Sequence, residues 1–237
     1  MRDQYAGDIS DYLKFAFLRS IVPTTARLGI AWYYLVGHDN RPDGRHLEYL
    51  DENDWRTLDP LLYDALSRIK NNRSIRTLEM LPIWNNTTTF YRDAVEAGIR
   101  RATWAAGMIE YLKDSDIVFA DPDNGLPNEG VVDSKSATQG EIRTLSMNER
   151  PVILIRFPSR RGTHDEQLDL HHKNLAALRP ITLKTCVSVR NKSGGKSPRI
   201  RWFTVMNASE EIQESIQKFE QRLVSIGGVK AEVAGLS

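Results

Sequence analysis

The sequence predicts an α/β protein with a mostly parallel sheet, and three observations carry that expectation. Short apolar runs rich in β-branched and aromatic residues alternate along the chain with segments of helical periodicity. One run, Ile117-Val118-Phe119-Ala120, is apolar at consecutive positions, as a strand buried on both faces must be. It stops at Asp121-Pro122-Asp123-Asn124-Gly125, a series of turn formers. Ligands of open α/β sheets occupy the crevice beyond the carboxyl ends of the strands. Asp121, Asp123 and Asn124 are therefore delivered where a site is expected, and polar groups there are costly to hold without a task. A plain tight turn is the competing reading.

The composition is that of an ordinary globular protein, with 41% hydrophobic and 27% charged residues over 237 positions, enough to bury a substantial core. One α/β domain over residues 1–237 is expected, with a mainly helical insertion at about 47–113. Lys+Arg 32 against Asp+Glu 31 gives a net charge of +1, so nucleic-acid binding would depend on a local patch. The single cysteine, Cys186, excludes an intramolecular disulfide and reads as a small core residue of a strand. No secretory signal follows Met1 and no apolar run is long enough to span a bilayer. A cytoplasmic protein without membrane partners is expected.

Asp8 is a good N-cap for the opening helix, with Asp11 in its first turn and Ile9, Leu13, Ala16 and Phe17 on one face. Asp11 and Lys14, three apart, can pair, and Pro23 ends the helix. Leu28 to Val36 reads as the first strand. The loop behind it, Gly37-His38 to Arg45, is polar and long but lacks the glycine spacing of a dinucleotide site. Within 47–113, Asp59 to Lys70 forms an amphipathic helix. A second helix is predicted within Thr87 to Tyr111, with Tyr91, Val95, Ile99, Trp104, Met108 and Leu112 as its buried stripe. Arg92, Arg100 and Arg101 would line its polar side, as a solvated face or as a track for a phosphate backbone.

A short helix is expected near Gln139 to Leu145, then a buried strand over Pro151 to Phe157. The loop after that strand carries Arg160, Arg161 and His164, a plausible anion site before a helix capped by Thr163 and running through Leu168 to Leu178. Ile181 to Val189 and Arg199 to Met206 read as the last strands, joined by the basic, glycine-rich Arg190 to Pro198. Ser209 to Ile226 is a closing helix, with the chain frayed from Gly227 onward. Metal motifs are scarce. His38 and His46 do not share a helix face, and His171 and His172 are adjacent, so no zinc site is expected. Asp121 and Asp123, with Asp133 or Glu141 and Lys135, could hold Mg²⁺ for phosphodiester chemistry.

Ala6-Gly7-Asp8-x-x-Asp11-x-x-Lys14 resembles the A-G-N-x-x-D-x-x-K opening of the bacterial 23S rRNA adenine-N6 methyltransferases, and Asp121-Pro122 resembles the start of their D-P-P-Y motif. The order of elements is similar throughout. The resemblance implies a Rossmann-like, methyltransferase-like sheet with a helical insertion after the first strand, S-adenosylmethionine in its crevice, and RNA or DNA as partner. It implies that Asp121 and the Pro122 carbonyl accept hydrogen bonds from a base amino group, leaving its lone pair directed at the methyl, while Asp123 and Asn124 shape the pocket. Gly7, Asp8, Asp11 and Lys14 would lie near the cofactor, with Gly37 and His38 in the cofactor loop, while Arg160, Arg161 and His164 would hold phosphate or substrate. The chain departs from the family at Asp123-Asn124 in place of Pro-Tyr, at Phe15 in place of a histidine, and at Gly37 to Arg45 in place of the glycine-rich loop. At its motifs it is also similar to uncharacterised bacterial proteins sharing G-D-x-x-D-Y-x-K, D-P-D-N-G and R-R-G-x-H-x-E-Q. Two other functions stay open: a Mg²⁺-dependent nuclease or phosphoesterase using Asp121 and Asp123, and a catalytically silent nucleic-acid-binding module.

Overall fold

The computed structural model describes residues 1–37, 46–127, 133–159, 162–190 and 195–235. Helix α1 (Ile9–Ile21) starts at Asp8, whose Oδ1 accepts the Ser10 and Asp11 amides at 2.8 and 3.2 Å. Strand β1 (Leu28–Trp32) is shorter than predicted, because beyond it Tyr34 makes only an isolated bridge to Ala94. Three short helices follow: α2 (Asn53–Arg56), α3 (Pro60–Arg68) and α4 (Ile75–Glu79).

Thr87 to Tyr111 is not one helix. Thr89-Phe90-Tyr91 forms strand β2, parallel to β1, and only α5 (Arg101–Tyr111) is α-helical. The β-branched and aromatic run Thr87 to Tyr91 suits a pleated surface better than a helix. Ile99 is 96% exposed and leaves the proposed stripe, whereas Tyr91, Trp104, Met108 and Leu112 are buried. The three arginines do not share a polar face either. Arg92 pairs with Glu79, Arg100 with Glu96 in solvent, and Arg101 is buried against Glu141.

The remaining elements are β3 (Ile117–Asp121), α6 (Gln139–Leu145), β4 (Val152–Arg156), α7 (His164–Leu175), β5 (Ile181–Arg190), β6 (Lys196–Met206), α8 (Glu210–Val224) and β7 (Val229–Ala234). Both α6 and α7 begin with capping boxes, Thr138 with Glu141 and Thr163 with Glu166. Residues 229–234 are not frayed: as β7 they pair antiparallel with β5 along the edge of the sheet. Cys186 is free and only half-buried, less enclosed than the core position expected for it.

The sheet runs β2-β1-β3-β4-β6-β5-β7. Its core, β2 to β4, is parallel, and β6 inserts antiparallel between β4 and β5. Alternating residues of each central strand serve opposite faces. Ile117, Phe119, Ile153 and Ile155 pack with α1, α3 and α8, while Val118, Ala120, Val152 and Leu154 pack with α5 and α6. Burial on both faces is why these strands read as continuous apolar runs. The chain goes from β1 to β2 on one side and returns to β3 on the other, so a topological switch point falls between β1 and β3. Among the described residues, no helix is long and apolar enough to cross a membrane.

Candidate functional site

A cavity of about 360 Å³ lies at the carboxyl ends of β1 and β3, walled by the start of α1, by Asp121 to Asn124, by Phe157 behind β4 and by β6. Gly7 turns the chain into α1 at φ +75°, a left-handed conformation that favours glycine. This directs its N–H to Asp11 Oδ2 at 2.8 Å while its carbonyl accepts the Tyr49 hydroxyl at 3.0 Å. The three-residue spacing of Asp8, Asp11 and Lys14 then stacks them along one face of α1.

Lys14 reaches across to β3. Its Nζ lies 2.9 Å from Asp11 Oδ1 and 2.9 and 3.0 Å from the two oxygens of Asp121. All three side chains are almost fully enclosed. Burial pushes the Asp11 carboxyl up to about 6 against the pull of Lys14, with Asp8 and Asp121 adding to the rise. Asp8 is also raised, by burial, with Arg201 and Lys14 opposing. For Lys14, burial works against the charge, but its two carboxylates outweigh it and the ammonium is held charged.

Asp123 lies 2.6 Å from the Met1 amino group, which also donates to the Tyr33 carbonyl at 2.7 Å. The Met1 carbonyl accepts the Leu35 amide, and Arg2 reaches the carbonyls of Val36 and Gly37, so these first residues run along the backbone that follows β1. Behind the site, Gly125 takes φ +75°, and a Cβ there would fall 2.9 Å from Cα of Arg156. Only glycine lets the 121–125 turn fold back so tightly on β4.

Asp8, Asp11, Lys14, Asp121, Pro122, Asp123, Asn124 and Lys135 thus meet on one cavity. Gly7 stands behind its wall, and Gly37 is engaged by Arg2 and does not line it. His164 is exposed at the start of α7, edge-on to Trp202 at 6.1 Å, and is absent from the cavity wall. His38, Arg160 and Arg161 lie outside the described residues. Glu141 serves the opposite face, bound by Arg101 at 2.7 and 2.9 Å and by the Tyr33 hydroxyl at 3.1 Å. The Asp133 carboxylate accepts the Lys135 amide at 2.9 Å. Among the described residues, no group of three or more His, Cys, Asp or Glu side chains is arranged to hold a metal ion.

Seven wall residues are not among those the sequence predicts for a site: Met1, Tyr5, Ser10, His46, Phe157, Arg199 and Arg201. A signal for two of them existed, since arginines two apart in a predicted strand point to the same face. The Arg201 guanidinium donates to Ser10 Oγ at 2.6 and 3.0 Å and to the Ile200 carbonyl at 2.7 Å, and it stacks on Phe157 at 4.5 Å. Burial lowers it to about 10, with Asp8 opposing, which leaves it charged at neutral pH. Arg199 Nη2 lies against His46 Nε2. The His46 carbonyl in turn accepts the first amide of α1 at 3.1 Å.

No protein-family model matches the chain, and no curated protein matches it in sequence. Among solved structures it is similar to protein LPL1258 from Legionella pneumophila, of the DUF519 family model, with a TM-score of 0.56 at 10% identity over 98% of each chain. At that identity the likeness is one of fold. The chain is an α/β protein whose seven-stranded sheet shares its overall architecture with that structure.

Proposed function

We propose that the chain is a Rossmann-like, methyltransferase-like enzyme that uses S-adenosylmethionine on a nucleic-acid base. One observation carries this reading. The two segments that resemble the rRNA adenine-N6 methyltransferases, Gly7 to Lys14 and Asp121-Pro122, meet on one cavity, with Lys14 gripping Asp121 from 107 positions away. The switch point between β1 and β3 supports it, because that is where open α/β sheets bind ligands.

The volume suits a small-molecule ligand, and the carboxylates of Asp8 and Asp123 on the wall suit a sulfonium that also carries an ammonium group. S-adenosylmethionine, when bound, supplies an electrophilic methyl group. Lys14 holds the Asp121 carboxylate in place through both of its oxygens. A carboxylate has about four acceptor positions, so Asp121 can still accept from a base amino group, with the Pro122 carbonyl as second acceptor. The Mg²⁺-dependent reading draws less support, because the Lys14 ammonium already lies between Asp11 and Asp121.

Calorimetric titration with S-adenosylmethionine and S-adenosylhomocysteine tests the proposal. Micromolar binding is expected, weakened about tenfold or more in Asp123→Asn, which removes one of the carboxylates assigned to the cofactor's positive charge. Absence of binding to the wild-type protein overturns it.

A further inference from the structure

We propose that Arg199, Arg201 and Lys135 form a phosphate-binding subsite in this cavity, taking the phosphate of the nucleotide whose base faces Asp121. The identity of the phosphate's bearer rests on the nucleic-acid reading above; the anion site itself does not.

The cations of the cavity fall into two kinds. Lys14 is saturated by two carboxylates. Arg199, Arg201 and Lys135 have no carboxylate within ion-pair distance among the described residues. Arg201 is the telling case. Its guanidinium is half-buried, and its hydrogen bonds go to a hydroxyl and a carbonyl, both neutral. Asp8 attracts it through space but accepts no hydrogen bond from it, so its donors remain able to engage an anion directly. Guanidinium carries five N–H donors, and the three bonds to Ser10 and Ile200 leave donors on a side chain that lines the cavity. Such a fork matches the paired oxygens of a phosphate.

Arg199 adds a second observation. It lies two residues before Arg201 on the same face of β6, lines the same cavity, and its buried Nε has no hydrogen-bond partner. Lys135 reaches the cavity from the segment whose carbonyl accepts the Asn124 amide at 2.9 Å. Asp8 is the acid nearest in effect to Arg201, and its Oδ1 is engaged by the first amides of α1. Base amino group at the β3 end and phosphate at the β6 end is the polarity of one nucleotide.

The experiment is a calorimetric comparison of inorganic phosphate, AMP, adenosine and methionine binding to the full chain, in wild type, Arg199→Gln and Lys135→Met. AMP is expected to bind at least about tenfold more tightly than adenosine, with that ratio falling toward one in both variants. Equal affinity for AMP and adenosine, or no binding of either, overturns the subsite. Loss of methionine binding in Arg199→Gln with the AMP preference intact also overturns it, by assigning the arginines to a carboxylate. Retained AMP preference without any S-adenosylmethionine binding sinks only the methyl-transfer reading.

Discussion

At the scale of single residues, charge burial is what distinguishes this chain, and Lys14 and His171 show its two outcomes. Lys14 is kept charged by Asp11 and Asp121. His171, fully enclosed on α7, is kept neutral: burial first, then Arg156 and His172, lower it to about 3. Its Nε2 joins a chain of hydrogen bonds through Thr204 and Thr182 to His172, each link 2.8 or 2.9 Å. Because the folded value lies below the ordinary 6.5, His171 stabilises the fold above that pH, and the contribution is lost as pH falls from 6.5 toward 3. The slope is at most about 1.4 kcal/mol per pH unit. Asp11 acts with the opposite sign between 3.8 and about 6, so wild type alone does not isolate the histidine. Urea unfolding at pH 7 and pH 4 should show a smaller stability loss in His171→Gln than in wild type. Equal losses would remove His171 from the account. The Asp11–Lys14 pair was legible from its spacing, but its burial and its third member were not, because Asp121 lies on a different element.

At the scale of elements, caps and turns proved local. Asp8, Thr138, Thr163 and Ser209 each cap the helix that follows by accepting a backbone amide, a function carried within four residues of sequence. The helix predicted within Thr87 to Tyr111 is present as α5, but its expected stripe does not hold together, because residues at helical spacing there belong to two elements. Tyr91 is buried by pairing with β1, and Trp104 by α5 packing on the sheet. The turn after β3 offers the sharpest test at this scale. Gly125→Ala must resolve both a positive φ and a contact with the Arg156 backbone, and should cost about 1–3 kcal/mol. Thermal unfolding that leaves the midpoint unchanged would show that the 121–125 turn is less constrained than its geometry states.

At the scale of the whole molecule, the order of strands makes the site. The parallel half brings β1 beside β3, and the antiparallel β6 carries Arg199 and Arg201 to the same end of the sheet. β7 closes the far edge, with Lys184 on β5 paired to Glu232 at 2.8 Å. Removing residues 227–237 would leave β5 as an open edge of ten residues, a template for pairing with a second molecule. The truncated chain should melt lower and self-associate as its concentration rises, measured by size-exclusion chromatography. A monomer with the wild-type melting point would show that β7 contributes nothing to the sheet.

The α/β class, the buried strands 117–121 and 152–156, most helix starts and the polar cluster that ends β3 are all legible in the amino-acid order. These follow from residue type and periodicity within one element, where the forces act between near neighbours. That Lys14 grips Asp121, that Glu141 faces the other core, that 229–234 pairs with β5 and that two β6 arginines share the cavity emerge only in the folded chain. Each depends on which strands lie side by side. That choice is made by burying both faces of the sheet at once, a sum over the whole chain that no single stretch contains.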